Sequence, residues 1–297
     1  MLLSIFWDVN PVMFELIGRE VRWYGLLLAL GFLLGYIVLG RTMKKEGFSQ
    51  KTIDKFSIYI ILGTVIGLRL GHCLFYGPYF DTFDITGIVI EEGYLSHPLN
   101  MLKIWEGGLA SHGGAMGILL AIFIFSIVYK QPYLSMLDKV VLIVPLAGGM
   151  VRLGNLMNSE IVGSPTSMPW GFVFNRLHEN FNGVPLNTIP LHPAQLYEAL
   201  FYFLMFICLY FVYKKYHEKW KSGTFLGIFL IILFVFRFFI EFIKLPQTDS
   251  DFSLFEHTGI DIGQILSIPF VIFGICLLVR EFISRKNNSN VKKTVQN

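Results

Sequence analysis

The chain alternates long apolar runs with short polar stretches. A helix needs roughly 17–25 apolar residues to cross a hydrocarbon core. Runs that meet this lie at about 23–39, 56–76, 111–129, 140–156, 194–213, 224–243 and 262–279. The pattern predicts an all-α membrane protein with seven transmembrane helices and excludes a small soluble domain. Residues 1–283 read as a single integral membrane domain, and residues 284–297 as a polar, basic cytoplasmic tail with a disordered end. Ahead of the first run, Phe6, Trp7, Phe14 and Leu16 alternate with Asp8, Asn10, Glu15 and Arg19. That mixture predicts a segment lying on the membrane surface.

Charge distribution orients the spans. Lysines and arginines concentrate in the loops after the first span and before the fourth and sixth, and in the tail. Positive loops stay in the cytoplasm. The amino terminus is therefore expected outside, the carboxyl terminus in the cytoplasm, and the long loops in extracytoplasmic regions. A net charge of +3, carried on short loops between apolar runs, gives no reason to expect a nucleic-acid partner. Cys73, Cys208 and Cys276 lie inside spans without CxxC spacing and read as apolar fillers. The first residues lack a basic start and a small-residue cleavage site, so the first span is expected to act as an uncleaved signal anchor.

Orientation brings polar residues to one layer. Arg152, Asn155, Asn158 and Glu160 close the fourth span in the stretch MVRLGNLMNSEIVG. Arg69 lies in the outer part of the second span and His112 at the mouth of the third. Arg237 and Glu241 lie in the outer half of the sixth, with Arg237 roughly 20 Å from its cytoplasmic end at ~1.5 Å per residue. Tyr24 begins the first span; His192, Gln195, Tyr197 and Glu198 stand where the fifth begins. Each residue alone has a plain reading. Arg152 fits a lipid headgroup contact, Arg69 can snorkel, Arg237 and Glu241 can neutralise each other, and Tyr24 suits an aromatic belt. His192 suits a helix cap, and His112 a loop histidine bonded to a carbonyl. Three arginines and a histidine at membrane depth in one leaflet are not covered by those separate readings. A phosphate satisfies them together, because guanidinium forks match its oxygens. No HExxH, GxSxG, Walker loop or dinucleotide fingerprint is present, so neither a metal nor a cofactor is expected.

RLGNLMNSEIVG resembles the signature of the bacterial prolipoprotein diacylglyceryl transferases. The likeness extends through WYG (23–25), GLRLGH (67–72), GGLASHGGAMG (107–117), HPAQLYEA (192–199) and RFFIEF (237–242). It implies transfer of an sn-1,2-diacylglyceryl group from phosphatidylglycerol to the thiol of the lipobox cysteine of a prolipoprotein signal peptide. A thioether forms and glycerol phosphate leaves. It implies a multi-pass protein of the bacterial cytoplasmic (inner) membrane with its active site towards the extracytoplasmic side. Carried over residue by residue, Tyr24, His112, Arg152, Asn155, Glu160, Arg237 and Glu241 are implicated in binding and activity. Leu233, one turn before Arg237, stands where relatives can carry a tyrosine, so no hydroxyl role is implied there. On this reading Arg152 and Arg237 hold the phosphate with Arg69 in support, and Glu160 and Glu241 orient them or bind glycerol hydroxyls. Asn155 and Asn158 bond headgroup oxygens, and His112 is the candidate base. The competing readings are a transporter or channel for an anionic lipid or solute, and a membrane scaffold.

Overall fold

The structure is a computed structural model, and it describes residues 4–84, 86–104, 108, 110–181, 183–245 and 262–295. Residues 107 and 109 of the glycine-rich motif, and most of the acidic loop after Lys244, lie outside the described residues. Seven helices are long and apolar enough to cross a membrane. They are α1 (Trp23–Lys45), α2 (Gln50–Phe75), α3 (Ser111–Val128), α4 (Tyr133–Met157), α5 (Ala194–Tyr216), α6 (Thr224–Ile240) and α7 (Ile262–Val295). Several run past the apolar limits read from sequence, since nothing in their polar ends stops a helix. For α7 this changes the expectation for the tail. No proline or glycine follows Gly274, and the helix continues through the basic stretch to Val295.

The chain divides into two compact units, Met1–Leu39 with Asp138–Asn297, and Gly40–Leu137. The division falls inside α1 and α4. In the second unit, α2 and α3 pack through small residues. A Cβ on Gly71 would sit 2.6 Å from the Cα of Gly113, and one on Gly67 2.9 Å from the Cα of Gly117. Glycine every fourth residue on both helices removes the side chains that would hold the backbones apart, so dispersion contacts replace the hydrophobic drive that lipid cannot supply. Away from this seam, α2 exposes Leu62, Ile66, Leu70 and Leu74 at four-residue spacing, a stripe suited to lipid.

In the first unit, small residues on α4 admit a neighbour on each side. Gly31 of α1 lies against Ala147, and Gly149 of α4 lies under the ring of Phe203 of α5. The start of α6 is held by a buried carboxylate from α4. Asp138 accepts hydrogen bonds from the backbone N–H of Gly223 at 2.6 Å and of Leu226 at 2.8 Å. These are orphan donors of a helix N-terminus, which is why a carboxylate is tolerated there.

The segment ahead of α1 is built of short strands: β1 (Ile5–Trp7), β2 (Val12–Leu16) and β3 (Arg19–Arg22). β2 and β3 form a hairpin turned by Ile17 and Gly18, both at positive φ. In the second unit, β4 (Thr82–Phe83) pairs with β5 (Val89–Glu91). β1 pairs in parallel with β6 (Phe172–Phe174) from the loop after α4, with Ile5 opposite Phe172 and Trp7 opposite Phe174. That loop also carries β7 (Asn180–Phe181) and β8 (Val184–Pro185). It buries a small core of Leu156, Val162, Phe172, Phe174, Leu186 and Leu191, closed by Trp7, whose indole donates to the carbonyl of Leu156 at 3.0 Å. This core fixes the chain beyond α4 on the end of that helix.

On its α5 side, Trp170 donates to the Tyr197 hydroxyl at 2.8 Å, and that hydroxyl lies 3.2 Å from Nδ1 of His192. An indole only donates, so the tyrosine hydrogen is left for Nδ1, which needs a neutral imidazole. Burial also holds the His192 pKa below its ordinary value.

Two outcomes follow. Gly67→Val should destabilise the protein by about 2 kcal/mol through overpacking against α3, read as a lowered Tm in detergent. Gly40→Ala, whose Cβ would meet only Ile53 at 3.7 Å, should leave Tm unchanged or slightly raised. For His192, a depressed folded pKa means its contribution is complete above the ordinary value near pH 6.5 and is lost as pH falls through the folded pKa. Tm should therefore fall on acidification below that point, and His192→Gln should flatten part of the slope; an identical slope in the variant would remove His192 as a cause.

Candidate active site

The helix end of α4 is shaped by two unusual backbone conformations. Ser159 and Ile161 both lie at positive φ, 55° and 59°. For a β-branched residue this is strained by about 1–3 kcal/mol, and such strain gathers at functional sites. The consequence falls on Glu160 between them. Its Oε1 accepts from the amide of Asn155 at 2.8 Å and from that of Asn158 at 3.2 Å. Its carbonyl accepts from the Gln195 amide of α5 at 2.6 Å. Asn155 also turns its amide oxygen to Nη1 of Arg152 at 3.3 Å. One asparagine thus joins a guanidinium to a carboxylate. Tyr24 packs on Gly154, where a Cβ would stand 2.7 Å from its ring, and lies within electrostatic reach of Glu160 and Arg152.

The same arginine is held from α5. Nε of Arg152 lies 3.1 Å from Glu198, whose side chain is 2% exposed, and the guanidinium bonds the Tyr202 hydroxyl one turn further along. Stacking of Phe201 on Phe236 of α6, at 3.6 Å between ring centroids, locks the two helices beside this tyrosine. Past the end of α6, the turn Glu241–Ile243 carries Glu241 to within 3.1 Å of Lys244, which in turn lies 3.9 Å from Glu198. Arg237 completes the group. Its Nε is 3.6 Å from Glu241 and its side chain is 45% exposed. Arg152 and Arg237 share Tyr202 and Glu241 as electrostatic neighbours. Three cations (Arg152, Arg237, Lys244) and three carboxylates (Glu160, Glu198, Glu241) therefore meet at the ends of α4, α5 and α6.

Gly163 fixes the depth of this assembly. Its N–H donates to the His192 carbonyl at 2.8 Å, and a Cβ there would stand 2.6 Å from the Ile243 carbonyl oxygen. Only glycine lets the chains after α4 and α6 run this close together.

In the second unit, Arg69 is 4% exposed. Its Nε donates to the carbonyl of Met101 at 3.0 Å and its Nη2 to that of Asn100 at 2.6 Å, with Gly108 at 3.5 Å from Nη1 and the Tyr94 ring at 5.2 Å. His112 opens α3, exposed, with the rings of Phe75 and Tyr76 each 5.4 Å from its own.

Set against the sequence reading, the structure brings Tyr24, Arg152, Asn155, Asn158, Glu160, Arg237 and Glu241 together. Three points differ. Arg237 is half exposed, not buried. Asn155 and Asn158 direct their amide nitrogens to Glu160. Arg69, expected beside a phosphate, turns to backbone carbonyls, which answer its positive charge with aligned dipoles. Glu198, Tyr202, Lys244 and Gly163 were absent from the residues expected to bind. Four-residue spacing from Glu198 to Tyr202 and three-residue spacing from Glu241 to Lys244 were the available signals. Among the described residues no cluster of His, Cys, Asp and Glu is arranged to hold a metal ion.

The family model described as prolipoprotein diacylglyceryl transferase matches residues 11–280. A phosphatidylglycerol–prolipoprotein diacylglyceryl transferase of Porphyromonas gingivalis is 41% identical over 279 residues, 93% of this chain and 94% of its own. Proteins of that name from Tolumonas auensis and Chloroherpeton thalassium are 42% and 41% identical over 278 and 275 residues. The first covers 93% of this chain and 96% of its own length, the second 92% and 93%. The chain belongs to the prolipoprotein diacylglyceryl transferase family.

Proposed function

We propose that this chain transfers the diacylglyceryl group of phosphatidylglycerol to the lipobox cysteine thiol of a prolipoprotein, in a bacterial inner membrane. The reaction face is extracytoplasmic, as the distribution of basic loops orients the helices. One observation carries the reading beyond family likeness. Two guanidiniums share neighbours in one charge-balanced cluster, one held fast by Glu198, Asn155 and Tyr202, the other loosely paired and half exposed.

The thiolate sulfur attacks the glyceryl carbon that bears the phosphate. A C–S bond forms as the C–O bond breaks, and glycerol phosphate leaves with the electron pair. Negative charge gathers on the phosphate, so fixed donors there lower the barrier. Arg237, with its loose hold, takes the phosphate oxygens through its fork, and Arg152, its donors already engaged by Asn155, Glu198 and Tyr202, adds a fixed positive charge beside them. Glu241 and Lys244 return the cluster to neutrality when glycerol phosphate departs. Glu160 keeps one oxygen without a partner among the described residues, suited to a glycerol hydroxyl. Asn155 and Asn158 position Glu160 and Arg152. Tyr24 closes this side against Gly154. His112 accepts the thiol proton. Arg69, committed to backbone carbonyls, is left out of the phosphate clamp. A transporter needs access from both faces, and these charged groups gather at one end of their helices.

With purified protein, phosphatidylglycerol vesicles and a lipobox peptide, mass analysis of the cysteine reads the transfer directly. Arg237→Lys keeps the charge and loses the fork, and should lower kcat/KM by about 100-fold; a fully active variant would refute bidentate binding. Glu198→Gln should destabilise the fold by about 3 kcal/mol, because it removes the buried counter-charge of the partly buried Arg152 and Lys244, and Tm reads this separately from turnover. His112→Gln should lower kcat by about 100-fold across a pH series. Near-normal turnover across that series would eliminate His112 as the base and leave the phosphate clamp standing.

A further inference from the structure

We propose that the turn Pro98–Leu102 is a re-entrant element, seated among lipid acyl chains in the leaflet where α2 ends and tied there by Arg69. The inference does not rest on the proposed activity. α2 ends at Phe75, six residues beyond Arg69. Arg69 therefore lies about 9 Å back along the helix, at ~1.5 Å per residue. Helical side chains lean towards the helix N-terminus, which carries its guanidinium away from the near surface. Even so, Arg69 donates to the carbonyls of Asn100 and Met101 at 2.6 and 3.0 Å. A main-chain bond makes the same point without a flexible reach: Ala110 N–H donates to the Leu68 carbonyl at 3.0 Å. The connection leaves α2 at Phe75, forms the β4–β5 hairpin, and returns to the depth of Leu68 and Arg69 before α3 begins.

What the turn shows at that depth is apolar. Leu99 and Leu102 are 76% and 69% exposed. The one polar side chain of the turn, Asn100, donates to Glu92 at 2.6 Å, and Lys103 follows the turn. At the same level α2 presents Ile66 and Leu70 outward, on its lipid stripe. Non-helical backbone at membrane depth survives only where its polar groups find partners. The Asn100 carbonyl accepts from the N–H of Lys103 at 3.2 Å, and Arg69 adds donors to it and to the carbonyl of Met101. An intramembrane arginine thus serves as a backbone tether, its charge answered by carbonyl dipoles and by the Tyr94 ring 5.2 Å away.

Spin labels test this in vesicles of phosphatidylglycerol and phosphatidylethanolamine. Cys208 and Cys276, both exposed, are replaced by alanine, and buried Cys73 is kept. Labels then go on Leu99→Cys, Leu102→Cys, Ile66→Cys as the lipid reference and Lys51→Cys as the water reference. Relative collision with oxygen over a water-soluble nickel chelate should at Leu99 and Leu102 match Ile66 within about twofold, and exceed Lys51 at least about fivefold. Values matching Lys51 would place the turn in water and overturn the proposal. Shielding from both reagents would mean a protein covers it, either a signal peptide or a second copy, and would also overturn it. With Arg69→Gln, nickel access at Leu99 should rise several-fold while Ile66 is unchanged; unchanged depth at Leu99 would overturn the tether.

Discussion

Everything around the cluster follows from the cost of a charge removed from water. Arg152 and Glu198 meet at 3.1 Å with the carboxylate almost wholly buried. Such a pair is tolerable only with good geometry and further hydrogen bonds. Asn155 and Tyr202 supply those bonds to the arginine, and Lys244 approaches the carboxylate. Three positive and three negative groups leave the assembly neutral by formal charge. A phosphate arriving there must therefore take donors from a carboxylate, and of the two guanidinium–carboxylate pairs the weaker is Arg237 with Glu241, at 3.6 Å against 3.1 Å for Arg152 with Glu198. The same neutrality that stabilises the cluster thus names the residue free to move.

Helix packing delivers these groups to one place. Glycine and alanine in α4 let α1 and α5 approach closely, which brings Tyr24 against Gly154 and Tyr202 against Gly148. The small core under Trp7 holds the chain beyond α4, and Ser159 and Ile161 adopt left-handed conformations that turn Glu160 back onto the asparagines. Strain in Ile161 is sustained because Asn155, Asn158 and Gln195 all bind the residue beside it.

The spans were legible because twenty apolar residues in a row admit few alternatives, and the polar layer was legible because charge inside such runs is rare. Arg152 to Glu160 stood out for that reason. Lys244 did not: it follows the apolar run by a single residue and reads as an ordinary flanking lysine, although its side chain is nearly buried between two glutamates. Strands of two or three residues such as β1 and β6 have no period to read, and their pairing spans most of the chain. Arg69 was visible as an anomaly, but its partners are carbonyls, and backbone groups leave no trace in residue identity. Tyr202 sits among Phe201, Phe203 and Phe206 and was hidden by its neighbours.

The choice of cations carries the last step. Lys244 sits between Glu198 and Glu241 at 3.9 and 3.1 Å, where a compact point charge with rotatable donors serves two carboxylates set at different angles. A planar fork would favour one of them. At positions 152 and 237 the requirement reverses. Arg152 must spread donors to an amide oxygen, a carboxylate and a hydroxyl in different directions, and a guanidinium has five N–H groups for this. Arg237 engages one carboxylate through Nε, at a distance too long for a strong hydrogen bond, and its side chain is half exposed. A lysine placed at 237 would collapse onto Glu241 as Lys244 does, and the cluster would lose the one planar donor set that is not already engaged. Residue type at each corner is thus set by how many acceptors it must face at once, and only one corner is left facing out.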